Sequence, residues 1–281
     1  MKGFDWIVYL LALLVVLWGL FASGNPTEPA PELPSDILEE DGPTLPEPSA
    51  LDNRILIQVD KPRTGIGTAF AIDGKGRWLT ARHVVDGCDS VGILFGPNKY
   101  VPAKRVETDD KWDLAIITTD RTPNPTAIEL DGQLTVGQAG YHVGYPQGRP
   151  GEVSSRLLAR SKLISRGYRR GEEPVLAWVE IGRTRGLVGS LGGLSGGPVF
   201  DREGKVRGVI VAESPRRGRI YTAAPRAIAE FLDLRGITPS TEKGEKHTAF
   251  SAATYGSAAD FARRQLQVVK VACSIDGGAP G

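Results

Sequence analysis

The chain has 281 residues, 41 % of them apolar, and a formal net charge of +1. That apolar share is enough to bury a core and excludes a disordered chain, and no basic-aromatic module of the kind that reads nucleic acid is visible. Its thirty-five glycines and twenty prolines favour many short strands and turns over long helices.

Residues 6–22 carry no charged or strongly polar side chain. A run of this length is near the lower limit for a membrane-spanning helix and longer than the usual signal-peptide core of about 7–15 residues. Lys2 precedes it and acidic residues follow. The positive-inside bias then leaves the N-terminus in the cytoplasm and carries the body across the membrane. Residues 1–23 are therefore expected to be a single-pass transmembrane anchor. The rival reading is a cleaved signal peptide, for which Ala22-Ser23-Gly24 offers small residues, with the body then secreted. Residues 24–53 hold eight acidic side chains and no Lys or Arg, and seven prolines fall within 25–50. Such a stretch cannot bury enough apolar area to fold, so an extended, disordered linker is expected. From Arg54 onward the charge is +9, read most simply as scattered solubilising arginines.

A domain over 54–238 follows. Short β-like runs punctuated by Gly, Pro and Asp predict strands at 55–59, 67–72, 78–80, 91–95, 101–106 and 114–119. After a Pro-rich break at 122–126, a second set is predicted at 139–143, 154–161, 175–181, 198–200, 206–212 and 220–222. Two such groups suggest a pair of small antiparallel barrels or sandwiches, at about 54–120 and 135–236. Pro225 opens a helix over 226–234 whose apolar face is Ala227, Ile228, Phe231 and Leu232, and Gly236 stops it. Residues 239–281 form an extension of unassigned role, with a helix over 255–266 and a strand over 267–273. Cys88 and Cys273 are the only cysteines, and the sequence leaves open whether they pair.

The most specific local signal is Gly192-Gly193-Leu194-Ser195-Gly196-Gly197-Pro198. A nucleophilic serine must project from a tight turn while nearby backbone N–H groups aim at the developing oxyanion, and glycines permit both. Gly193 and Ser195 are the expected donors. His83, one of three histidines, ends a short apolar strand before a turn, where a general base is well placed. His142 lies inside a predicted strand and His247 in the polar tail, so both are assigned structural roles. Asp113 leads directly into an apolar strand, where a buried carboxylate needs a partner. Asp109 and Asp110 suit the surface.

Taken together, "TARHVV", "DLAII" and "GLSGGPVF" in the order His, Asp, Ser, with "GTAFAI" at 67–72 and "GYP" at 144–146, resemble the trypsin-like serine proteases, specifically their bacterial Do/HtrA-type relatives. The resemblance covers about 54–236. It implies an all-β fold of two six-stranded antiparallel barrels with a C-terminal helix. It also implies a serine endopeptidase with catalytic His83, Asp113 and Ser195, an oxyanion hole at Gly193 and Ser195, and no metal or organic cofactor. Carried over residue by residue, the pocket for the side chain before the cut falls at Gly189, Ser190 and Leu191 and on the strand Val211, Ala212 and Glu213. Gly189 and Ser190 argue for a small or apolar residue there; Glu213 would instead attract a basic residue if its side chain turned inward, but it is read as a solvated rim residue. Arg216, Arg217 and Arg219 are placed on a basic hairpin tip at the same mouth.

Leu194 departs from the aspartate that digestive members use in activation, and the residues after 236 are too few for a PDZ module. Protein or peptide substrates and a periplasmic site of action on an inner-membrane tether are expected, with no nucleic-acid partner and the oligomeric state undetermined. A catalytically silent protease fold serving as a scaffold is the competing reading. An α/β-hydrolase fails because its serine comes first in chain order and sits between a strand and a helix.

Overall fold

The computed structural model describes residues 42–95, 99–241 and 248–275. The expected anchor, most of the linker and His247 lie outside the described residues. Among those described, no helix is long and apolar enough to cross a membrane.

Among the described residues, alternating and fully apolar runs form fourteen strands in two sheets. The first sheet contains β2 (Gly65–Ala71), β3 (Arg77–Thr80), β4 (Ser90–Leu94), β5 (Tyr100–Pro102), β6 (Arg105–Thr108), β7 (Ala115–Thr118) and β14 (Val268–Ser274), in the order β5-β4-β14-β2-β3-β7-β6. The second contains β1 (Asn53–Val59), β8 (Ala139–Gly144), β9 (Gly151–Gly167), β10 (Gly171–Arg183), β11 (Pro198–Phe200), β12 (Val206–Ser214) and β13 (Arg219–Ala223), in the order β1-β9-β10-β13-β12-β11-β8. β8 also pairs with the first half of β9, so the second sheet closes on itself. Three helices accompany them: α1 (Arg82–Val85), α2 (Pro225–Asp233) and α3 (Tyr255–Arg264).

Each sheet thus has seven described strands where six were expected: the second gains β1 from the first, while the first makes up that loss with a split strand and gains β14 from the C-terminal segment. β1, assigned by sequence to the first barrel, pairs parallel with Ser161–Gly167 of β9 in the second. It turns Ile55 and Ile57 inward and leaves Leu56 at the surface. The single strand expected at 101–106 is broken into β5 and β6. At the bend the Ala103 N–H donates to Val91 O (2.8 Å) and the Lys104 N–H to Thr118 O (2.8 Å), so one run of chain serves both edges of the first sheet.

The C-terminal segment, to which the sequence assigned no role, is an internal part of the fold. β14 lies between β2 and β4, antiparallel to both. Cys273 at its end is disulfide-bonded to Cys88, just after α1, with 5.5 Å between their Cα atoms. In α3, Arg263 is buried and donates to Glu152 (2.7 Å), Asp260 (2.7 Å), Gly144 O and Gly151 O. A buried guanidinium demands such full pairing. The last part of the expected linker also packs. Leu45 is buried against the second barrel, and its N–H donates to Leu134 O at 2.8 Å. Backbone bonds at Pro43 and Leu45 and the Arg160 side chain on Pro46 O hold the segment there too.

Candidate active site

β3 ends at Thr80 and Ala81 stays extended, so the first turn of α1 presents His83 at the lip of the first barrel. Asp113 precedes β7, whose Ala115 pairs with Thr80 of β3; the two antiparallel strands deliver the side chains to one end of the sheet. Asp113 Oδ1 accepts the His83 backbone N–H (2.9 Å) and Oδ2 lies 2.6 Å from His83 Nδ1. Burial pulls the His83 pKa down, but the charge and hydrogen bond of Asp113 outweigh it, with help from Glu173, and the imidazole ends above its ordinary 6.5. Burial pushes the Asp113 carboxyl up, but the charge and hydrogen bonds of His83 hold it below the usual range.

Ser195 sits in the turn entering β11, across the cleft in the second barrel. Gly193 (φ 96°) and Gly196 (φ 82°) adopt left-handed conformations there. A Cβ at Gly196 would stand 2.1 Å from Thr80 Oγ1, so only glycine allows this approach between barrels. Thr68 on β2 fastens the turn from the first barrel. Its N–H donates to Ser195 O (2.9 Å) and its hydroxyl to Gly193 O (2.7 Å).

The backbone of the turn is paired selectively. The N–H of Leu194 donates to Leu191 O, that of Gly196 to Ile210 O and that of Gly197 to Leu194 O, while that of Gly192 donates to Ser190 Oγ. Gly193 and Ser195 alone keep unpaired N–H groups in this turn, among the described residues. The Gly192 carbonyl accepts the Gln147 N–H. Because N–H and C=O oppose each other across a trans peptide, the Gly193 N–H points away from the Gln147 loop. Gln147 itself (φ 53°) donates through its side chain to Val188 O and Ser190 O, securing this loop.

A cleft of about 560 Å³ is lined by His83, Asp113, Gly192, Gly193 and Ser195 together with Val211, Ala212 and Glu213. The structure therefore gathers one half of the predicted specificity set. Gly189, Ser190 and Leu191 do not line the cleft. Ser190 and Leu191 instead fix the Glu213 carboxylate, which accepts the Ser190 hydroxyl and the Leu191 N–H. Glu213 is thus a tethered wall residue, not the solvated rim residue expected. Arg216 and Arg217 do stand exposed at the β12–β13 tip. Leu194 is buried in the core of the second barrel. His142 is structural, as read: it is buried, its Nε2 lies 2.8 Å from Ser155 Oγ, and burial pushes its pKa down to about 3.

Sequence reasoning missed Glu173. Its carboxylate accepts the Asp113 backbone N–H at 2.9 Å. The strand offered no alternation to reveal it: Val175, Leu176, Ala177 and Trp178 are all buried, so both parities lead to the core, and only the fold separates Glu173 from Glu172, which faces Arg54 and Lys162. Among the described residues no group of acidic, His or Cys side chains could hold a metal ion.

Comparison with known proteins identifies the family and the fold. The family model of the trypsin-like peptidase domain matches residues 67–209, about half of the chain. A probable periplasmic serine endoprotease DegP-like of Halomonas elongata is 30 % identical over 148 residues, covering 52 % of this chain and 29 % of that protein. A protein of the same description from Brucella suis is 29 % identical over 185 residues, covering 62 % and 34 %. The chain thus spans about a third of the length of the curated relatives it matches. Among solved structures, the Rv3671c protease from M. tuberculosis in its active form superposes with a TM-score of 0.51 at 18 % identity, over 70 % of this chain and 96 % of that one. An inactive form of the same protease gives 0.51 at 23 % identity, over 62 % and 88 %. The fold is mostly β and trypsin-like, and the chain belongs to the trypsin-like peptidase domain family.

Proposed function

We propose that the protein is a serine endopeptidase that cleaves proteins outside the cytoplasm. One observation carries this reading: the only unpaired N–H groups of the 192–197 turn are those of Gly193 and Ser195, in a cleft shared with a His83–Asp113 pair of 2.6 Å. Ser195 Oγ attacks the scissile carbonyl, and His83 Nε2 takes its proton. Asp113 keeps the Nδ1 proton in place and stabilises the imidazolium. The two free N–H groups receive the oxyanion. His83 then protonates the leaving amine, and water releases the acyl group by the same route. No cofactor takes part.

The names of the curated relatives and the apolar segment at 6–22 support a periplasmic site of action on a membrane tether. Cleft residues Val211 and Ala212 favour a small or apolar residue before the cut, the Glu213 oxygens being already occupied by the Ser190 hydroxyl and the Leu191 N–H.

Labelling of residues 42–281 with a fluorophosphonate, beside a Ser195→Ala control, tests the reading. Labelling that vanishes in the control is expected. A folded parent that never labels would leave the silent scaffold as the correct reading. With the His83 pKa raised, the labelling rate should fall on the acid side with a midpoint above 6.5. A midpoint below that value would contradict the Asp113 contribution.

A further inference from the structure

Glu173 stands on β10 of the second barrel, yet its carboxylate receives the backbone N–H of Asp113 from the first. It is 7 % exposed. The charged groups that face it are Asp113, His83 and Arg82. Arg82 Nη1 is bonded to Asp109 O, and its Nε is buried without a hydrogen-bond partner. The nearby Arg169 is committed to Asp86 at 2.8 Å, and Glu172 on the same strand faces away to Arg54 and Lys162. Among the described residues no cation is paired with the Glu173 carboxylate by contact, although it lies within electrostatic reach of the imidazole.

Resting on the peptidase reading above, we propose that Glu173 is a positioning residue of the triad, which clamps Asp113 across the two barrels and strengthens His83 as a base through its negative charge. The geometry separates the two effects. The clamp needs only an acceptor oxygen, which a protonated Glu or a Gln also provides. The electrostatic effect needs the charge. Burial, then the charge of Asp113, push the Glu173 pKa up to about 7. The charge is therefore present above neutrality and withdrawn below it. The proton uptake of the cluster is shared and belongs to no single group. An imidazolium forming during attack would meet two carboxylates in alkaline solution and one in acid.

The test compares the parent with Glu173→Gln and Glu173→Ala in the full chain. His83 is titrated by NMR, and the fluorophosphonate labelling rate is followed against pH. In Glu173→Gln, His83 should titrate at lower pH than in the parent, the acid limb of labelling should move with it, and the alkaline plateau should fall by about fivefold. Glu173→Ala should show the same titration shift with a further loss of rate, because the Asp113 N–H loses its acceptor. A purely structural Glu173 would leave the Gln titration superimposed on that of the parent, and that result would overturn the proposal. The NMR titration does not require catalysis. A parent that fails to label, but whose His83 shifts in Glu173→Gln, would sink the peptidase reading and leave the coupling standing.

Discussion

Asp113→Asn is expected to lower kcat/KM for peptide hydrolysis by about 10⁴-fold while leaving the fold intact. The carboxylate holds His83 twice, at its backbone N–H and at Nδ1. An asparagine keeps one acceptor but turns an NH₂ group towards the ring or the main chain. Facing that donor, Nδ1 must accept, which moves the imidazole proton to Nε2, the atom that has to be empty to take the proton of Ser195. The barrier therefore rises through the wrong tautomer, with the cleft still formed. The assay is steady-state hydrolysis of a peptide substrate found by screening the labelled parent, with circular dichroism to verify folding. A loss below about tenfold would mean that Asp113 does not orient the base.

The second large effect concerns stability. Replacing both Cys88 and Cys273 by serine should destabilise the protein by about 2–5 kcal/mol. The bond joins residues 185 apart in sequence, and loop-closure entropy for that separation sets an upper limit of about 5 kcal/mol. Part of the loss would come from β14 itself. Once released from Cys88, it is held between β2 and β4 by ladder hydrogen bonds and by the burial of Val269 and Val271. Urea unfolding of the parent and the double-serine variant would measure the difference. Coincident midpoints and slopes would show that the bond constrains nothing.

The sequence made the proposed triad legible because each of its members sits at the end of an element with a strong local signature. His83 follows an apolar strand, Asp113 precedes one, and Ser195 lies in a glycine run. Strand existence was legible for the same local reason, and α2 was placed within a residue at each end. Partnership across the chain was not. Nothing in Ile55, Ile57 or Val59 says which barrel they join, since alternation fixes a face and not a neighbour. The run 267–273 reads as a strand, but its insertion between β2 and β4 is a fact of long-range pairing. Glu213 and Glu173 were misjudged or missed because acidic side chains default to solvent. What draws each inward is a backbone N–H on a distant segment: Leu191 for one, Asp113 for the other.

The central place of β14 also sets an order on assembly during synthesis. A chain emerging from its N-terminus releases His83, Asp113 and Ser195 long before residues 268–274. Until those residues arrive, β2 and β4 have no strand between them, and the sheet that carries the base and its carboxylate cannot finish. Contacts of such separation in sequence form late, because loop closure must precede their reward. A nascent chain would therefore hold all the chemical groups of the proposed site without their alignment until β14 is in place.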